Sequence, residues 1–239
     1  MMSIISITCF AASYGVPRGL EISGLFFRRR VGWFVRIAFA AAGLFAHSAY
    51  LWYLARSELE GTGITPFSSW YDWCLIVAWV LAATYLALAV RRPENTVGLF
   101  LIPLIFVLIA AAYGVRGTPH FPRAEALSYW GIIHGVMLLL GTVAAALGFA
   151  AGIMYLLQSY RLKHKLPPRP GFRLPTLEWL QHFNRRSLLL STGLLALGLI
   201  AGLVLNIIRH SSNLRNISWT DPVVVSSAVF FVWLAFATL

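Results

Sequence analysis

Residues 187–208 read SLLLSTGLLALGLIAGLVLNII, twenty-two positions without Asp, Glu, Lys or Arg. As one helix they would rise ~33 Å, enough to cross a hydrocarbon core of ~30 Å. Arg185 and Arg186 stand just before the run and Arg209 just after it. Charges that stop at both ends of an apolar stretch are the mark of a membrane span. Working outward, residues 73–90, 97–115, 127–157 and 223–239 are equally uncharged, and 33–55 holds one charge, Arg36. Arg36 lies close enough to a helix end for its head group to snorkel to the interface. The 127–157 run would be ~46 Å long as one helix, so it is expected to enter the bilayer near Tyr129 and Trp130, which suit an interface. Residues 4–27 are apolar but broken by Pro17, Arg18 and Glu21. A cleaved signal peptide is the competing reading there. No basic stretch precedes the run, which favours a weak first span.

The expected fold is therefore all-α: a polytopic membrane helical bundle of about seven transmembrane helices, one domain over 1–239. The spans fall at about 4–27, 33–55, 70–90, 97–115, 130–157, 187–208 and 223–239. Composition agrees. Of 239 residues, 59% are hydrophobic and 11% charged, and mean hydropathy is +0.75. A soluble domain carries about 25% charged residues, and so few charges cannot clothe a surface in water. The length leaves no room for a soluble catalytic domain beside the spans. A net charge of +11 could indicate nucleic acid, but the Lys and Arg sit in loops between apolar runs. That placement is topological.

The basic residues orient the chain. Arg28 to Arg30, Arg91, Arg92, Arg161, Lys163, Lys165, Arg169, Arg173, Arg185 and Arg186 fall on one side, twelve in all. The other side has five: Arg56, Arg116, Arg123, Arg209 and Arg215. The positive-inside rule puts the twelve in the cytoplasm. Loop 158–186 is then a basic cytoplasmic loop, and loops 56–69, 116–129 and 209–222 are external. The expected location is the bacterial inner (cytoplasmic) membrane. Pro167, Pro168, Pro170 and Pro175 keep loop 158–186 from being one helix, though a short interfacial helix over Leu177–Phe183 fits. The topology is open to a direct check. In a chain with Cys9 and Cys74 replaced by Ser, a cysteine at Ser159 is expected to resist a membrane-impermeant thiol reagent in intact cells. Labelling at that position would reverse the orientation.

Familiar catalytic signatures are missing. There is no G-x-x-x-x-G-K-[ST], no H-E-x-x-H and no C-x-x-C-H. Gly61 and Gly63 begin a G-x-G, but Pro66 stands where the third glycine belongs. Cys9 and Cys74 would both lie near external helix ends, where a disulfide is conceivable and two packed, solitary thiols are the simpler reading.

Two histidines lie inside spans. His47 is eight residues before the end of the outward-running second span, ~12 Å deep. His134 is four residues past Trp130 in the inward-running fifth span. Both belong to the external half of the membrane, where a polar group is costly and faces a bundle interior. Ala40, Gly43 and His47 share one helical face. His134, Gly141, Ala145, Gly148 and Gly152 share another. Small residues let helices approach closely, so both rings should point at other helices. A neutral imidazole is a good axial ligand for haem iron; it is also an ordinary hydrogen-bonding group. His120, His164, His182 and His210 belong to loops and are read as solvated. Asp72, in Trp70-Tyr71-Asp72-Trp73, sits at the external end of the third span. Trp219-Thr220-Asp221-Pro222 closes the last external loop. These aromatics make either an interfacial belt or a platform for a flat ligand.

Four stretches, in order, resemble the cytochrome c assembly proteins of the CcsA/ResC/HemX type, which handle haem at the membrane. Gly43-Leu44-Phe45-Ala46-His47 is similar to the family's early histidine-bearing helix. Pro66-Phe67 through Tyr71-Asp72, then Ala78-Trp79, resembles its P-x-S-N-x-Y-E-S-L…A-W segment. His134, opening a small-residue helix that ends in Tyr155-Leu156, resembles its first external histidine helix. Leu174-Pro175-Thr176-Leu177-Glu178, followed by Leu197-Gly198-Leu199-Ile200-Ala201-Gly202, resembles its L-P-S-L-E…L-G-L-x-x-G segment. The likeness covers roughly residues 35–235.

The resemblance implies haem b held without covalent attachment, with His134 as an external axial ligand and His47 as a ligand within the bundle. Trp219, Asp221 and Pro222 would be the remnant of the family's W-G-x-x-W-x-W-D-P haem loop, and Asp72 would shape the haem mouth. Thr220 replaces the tryptophan before the aspartate. The family's second external histidine is then expected beyond Leu239 or from another chain. The implied partners are an apocytochrome c and a membrane protein of the ResB type. No catalytic acid or base is required of this chain, because positioning reduced haem against cysteine thiols favours their joining; the synthase activity would belong to the complex. A HemX-like regulator or scaffold, with loop 158–186 as its docking surface, is the alternative. A secondary transporter would show inverted repeats and broken helices, and neither is evident.

Overall fold

The computed structural model describes residues 7–24, 31–61, 68–91, 96–118, 121, 128–167, 172, 174–211 and 222–238. Among these it is all-helical, with seven helices and no strand. In chain order they are α1 (Ile7–Gly24), α2 (Val31–Gly61), α3 (Trp70–Arg91), α4 (Gly98–Gly114), α5 (Tyr129–Lys163), α6 (Leu177–Ser211) and α7 (Pro222–Thr238).

Four helices contain stretches long and apolar enough to cross a membrane: Trp33–Arg56, Trp70–Arg91, Tyr129–Lys163 and Leu177–Ile208. The apolar helices over Gly98–Gly114 and Val224–Thr238 are shorter. The arrangement of side chains is that of a protein in lipid. Phe45, Trp52, Leu156, Val229 and Phe236 stand outward, Phe236 with 74% of its surface exposed. Glu21, His47, Asp72 and Ser191 are buried. Water as solvent would favour the reverse; lipid accepts this pattern.

Several expectations change in detail. α1 runs through Pro17 rather than breaking there. One missing N–H costs one helical bond, and the Pro17 ring is buried against the other helices. No separate interfacial helix forms over Leu177–Phe183. Those residues are the first turns of α6, which continues unbroken to Ser211. Asn184, Arg185 and Arg186 link the two parts, and none is a proline or glycine able to stop a helix. α5 starts at Tyr129, as the aromatic pair suggests, and continues past 157 to Lys163. Its 35 residues rise ~52 Å.

The chain divides into two compact units, one of residues 1–120 with 150–181, the other of 121–149 with 182–239. In the first unit α1 packs on α2 and α4, and α3 packs on the same two helices. Among these four helices each therefore has two neighbours, and they close into a ring around a shared interior. Phe10, Tyr14, Leu75, Tyr85, Leu101 and Ile105 fill that interior. In the second unit, α5 and α6 approach through small residues. A Cβ on Gly141 would meet the Leu195 side chain at 2.9 Å, and one on Gly198 would meet Leu138 at 2.8 Å. The Ser191 hydroxyl donates to the Gly141 carbonyl at 2.8 Å. Close backbone approach of this kind is how helices associate where lipid removes the hydrophobic driving force.

Several other hydroxyls are satisfied within their own helix. Ser48, Thr84, Thr142 and Thr192 each donate to the carbonyl four residues earlier, at 2.8–2.9 Å. Such back-bonding leaves the helix outwardly apolar.

Candidate functional site

His134 is placed by α5 and received by α6. Its Nδ1 donates to the Gly198 carbonyl at 2.7 Å. A carbonyl only accepts, so the proton sits on Nδ1 and the lone pair is on Nε2. Gly202 lies one turn further along α6. A Cβ there would stand 2.7 Å from His134 Nδ1 and 2.8 Å from Cε1. The ring therefore occupies the space that a side chain at 202 would take. Gly198 supplies the acceptor and Gly202 the room, and His134 keeps partial exposure. Tyr129 and Trp130, in ring contact at 5.8 Å, begin the same helix. An imidazole with one nitrogen bonded to a backbone carbonyl and the other presenting a lone pair is the usual arrangement of a metal-binding histidine.

His47 has a different environment. It is 0% exposed. Its ring lies flat on Phe10, with centroids 4.1 Å apart and planes within 2°. Its Nδ1 is 3.4 Å from the Tyr14 hydroxyl. Nε2 is buried without a hydrogen-bond partner among the described residues. The expected face holds: Ala40, Gly43 and His47 are all buried. A Cβ on Gly43 would meet Tyr14 Cε1 at 2.9 Å, so the small residue admits α1. With Phe10 on the ring face, Tyr14 at Nδ1 and Nε2 buried, iron could reach His47 only if the surrounding helices move. As folded, the residues around His134 fit an axial ligand, and those around His47 do not.

Asp72 is buried and bonds at the start of α3. Its Oδ2 accepts from the Ser69 N–H at 3.0 Å and from the Ser69 hydroxyl at 2.6 Å. The Asp72 N–H donates back to Ser69 Oγ at 3.2 Å. This is a capping box, readable in advance as Ser69-Trp70-Tyr71-Asp72. It excludes a solvated acid and ties the carboxylate to the helix end. Tyr71, its neighbour, bonds hydroxyl to hydroxyl with Tyr50 of α2. Trp79 donates to Ser48 Oγ of α2 at 2.8 Å. The Tyr71-Asp72 and Ala78-Trp79 parts of that stretch thus cap α3 and join it to α2.

His47 and Asp72 belong to the first unit and His134 to the second. Trp219 and Asp221 lie outside the described residues, as do Pro66, Phe67 and His120. Pro222 is the first residue of α7. Cys9 and Cys74 are not joined in a disulfide. Among the described residues no three His, Cys, Asp or Glu side chains converge as a metal site. A feature that sequence reading did not find is a buried pair, Glu21 with Arg36. Arg36 does not snorkel; its guanidinium turns toward the Glu21 carboxylate.

No family model matches the chain, and neither does any curated protein or solved structure.

Proposed function

We propose that the protein binds haem in the membrane through His134 and handles it during cytochrome c maturation at the outer face of a bacterial inner membrane. The observation that carries the reading is the seat of His134 on Gly198 and Gly202. Those two glycines belong to the segment Leu197–Gly202, which resembles the family's L-G-L-x-x-G. The histidine comes from a separate resembling segment, 64 residues before Gly198. Haem, when bound, supplies an iron whose reduced form is competent for attachment to cytochrome thiols. His134 would hold that iron through Nε2. Its Nδ1–H bond to Gly198 would fix the ring and raise its basicity. Trp219, Asp221 and Pro222 are assigned to the mouth of the site on the resemblance alone. The partners in this reading are an apocytochrome c and a ResB-type membrane protein.

The enclosure of His47 favours a second reading, a HemX-like regulator of haem-pathway enzymes that does not transfer haem. One experiment separates the two. The protein is expressed in haem-replete cells, purified, and its haem measured by absorption. The wild type is expected to carry haem. Gly202→Ala is expected to weaken haem binding about 10- to 100-fold, the usual cost of disturbing a ligand's supporting bond. Gly193→Ala, on the same helix with nothing within 4 Å of the new Cβ, is expected to keep it. Haem-free wild-type protein, or equal haem in both variants, would defeat the first reading.

A further inference from the structure

Glu21 is 3% exposed, on the inner face of α1 that also carries Phe10, Tyr14 and Pro17. Its two carboxyl oxygens are treated differently. Oε1 accepts a hydrogen bond from the Tyr85 hydroxyl of α3 at 3.1 Å and lies 3.8 Å from Arg36 Nη1 of α2. Oε2 is buried with no hydrogen-bond partner among the described residues. A buried carboxylate oxygen left unsatisfied is costly, and far less so when the carboxyl is neutral.

The surroundings support both protonation states. Arg36 favours the anion, but at 3.8 Å and from one nitrogen it is no bidentate clamp. The carboxyl rests on Gly98, and a Cβ there would overlap both of its oxygens and the Tyr85 ring. Gly98 is the first residue of α4, where the helix dipole favours negative charge. α4 brings no ionisable group to this face. Arg18, one turn before Glu21 on α1, is already occupied, donating to the Leu99 carbonyl at 2.6 Å. Burial and the empty Oε2 favour the acid. The guanidinium and the helix dipole on one side, and desolvation on the other, leave the carboxyl able to exist in either form.

Arg36 also has somewhere to go. It is five residues into α2, within snorkelling reach of a helix end. If Glu21 becomes neutral, the guanidinium can extend to the interface rather than stay buried beside an uncharged acid. The geometry points to Glu21 as an intramembrane proton-binding site, whose ligand is a proton drawn from the aqueous phase where α1 ends and α4 begins. Hydronium gives its proton to Oε2 and becomes water; Oε1 keeps the Tyr85 bond, and Arg36 is released. The reverse step returns the proton and re-forms the pair. An exchangeable carboxyl inside a helical membrane unit is the working part of proton-linked devices. This assignment stands apart from the haem reading and shares none of its residues.

Infrared difference spectroscopy on the purified full chain, between acidic and alkaline buffer, tests it. The wild type is expected to show a reversible carboxyl C=O band that is missing from Glu21→Gln. In Tyr85→Phe, which keeps every charge, the same band is expected to shift in frequency, because the bond to Oε1 is gone. An exposed carboxylate would not respond to Tyr85. Superimposable spectra of wild type and Glu21→Gln would overturn the assignment. If Glu21→Gln does not fold, an unshifted carboxyl band in Tyr85→Phe overturns it equally.

Discussion

His134→Ala is expected to strip the protein of haem and stop cytochrome c maturation, more completely than His47→Ala does. The asymmetry comes from the two seats. His134 already presents a lone pair on Nε2, with Nδ1 committed to Gly198. Its loss removes the nitrogen that would meet iron. The space between α5 and α6 would stay open, because Gly202 has no side chain to fill it. Imidazole added to the His134→Ala protein is therefore expected to restore part of the haem. His47→Ala acts first on packing. It removes the ring beneath Phe10 and the partner of Tyr14, so it should lower stability and protein yield before it lowers haem per protein. Haem content and maturation, each normalised to protein level, check the pair. Full maturation in both variants would leave the regulator reading standing.

Among the described glycines, Gly98→Ala is expected to lower stability the most. The new Cβ would occupy the position of the Glu21 carboxylate and press on Tyr85. Overpacking alone costs about 1–3 kcal/mol. Displacing the carboxylate also disturbs its contact with Arg36 and its bond from Tyr85. Both helices that hold α1 are involved, since Glu21 reaches Arg36 of α2 and rests on α4. Gly114→Ala, at the far end of α4 with nothing within 4 Å, is expected to be neutral or slightly stabilising. Thermal unfolding in detergent compares the two. Equal midpoints would show that the Glu21 carboxyl moves aside at no cost.

The helices are legible in the sequence because a charge-free run of about twenty residues matches the thickness of a bilayer. The boundaries at Tyr129 and Pro222 follow from interfacial aromatics and a loop proline. Relations between distant positions are not legible. Glycine at 198 and at 202 reads as a small-residue stripe, and His134 reads as a polar residue needing cover. Only the fold brings the one to the other across 64 residues. Glu21 and Arg36 read as a flaw in one span and a snorkelling end in the next. Each charge is interpreted against lipid, whereas the structure sets each against the other. The capping box at Ser69–Asp72 is present in the sequence at its usual spacing, but it competes with the more conspicuous tryptophans around it.

The hydroxyls of Ser48, Thr84, Thr142 and Thr192, each bonded inside its own helix, bear on biogenesis. A segment whose polar groups are satisfied locally can leave the translocon alone and find its neighbours afterwards. α1 is not such a segment. Its Arg18 bonds to α4 and its Glu21 to α2 and α3, and a charge inside a span opposes insertion until it has found its partner. In a membrane α1 is therefore expected to partition late, once α2, α3 and α4 are in place to receive it.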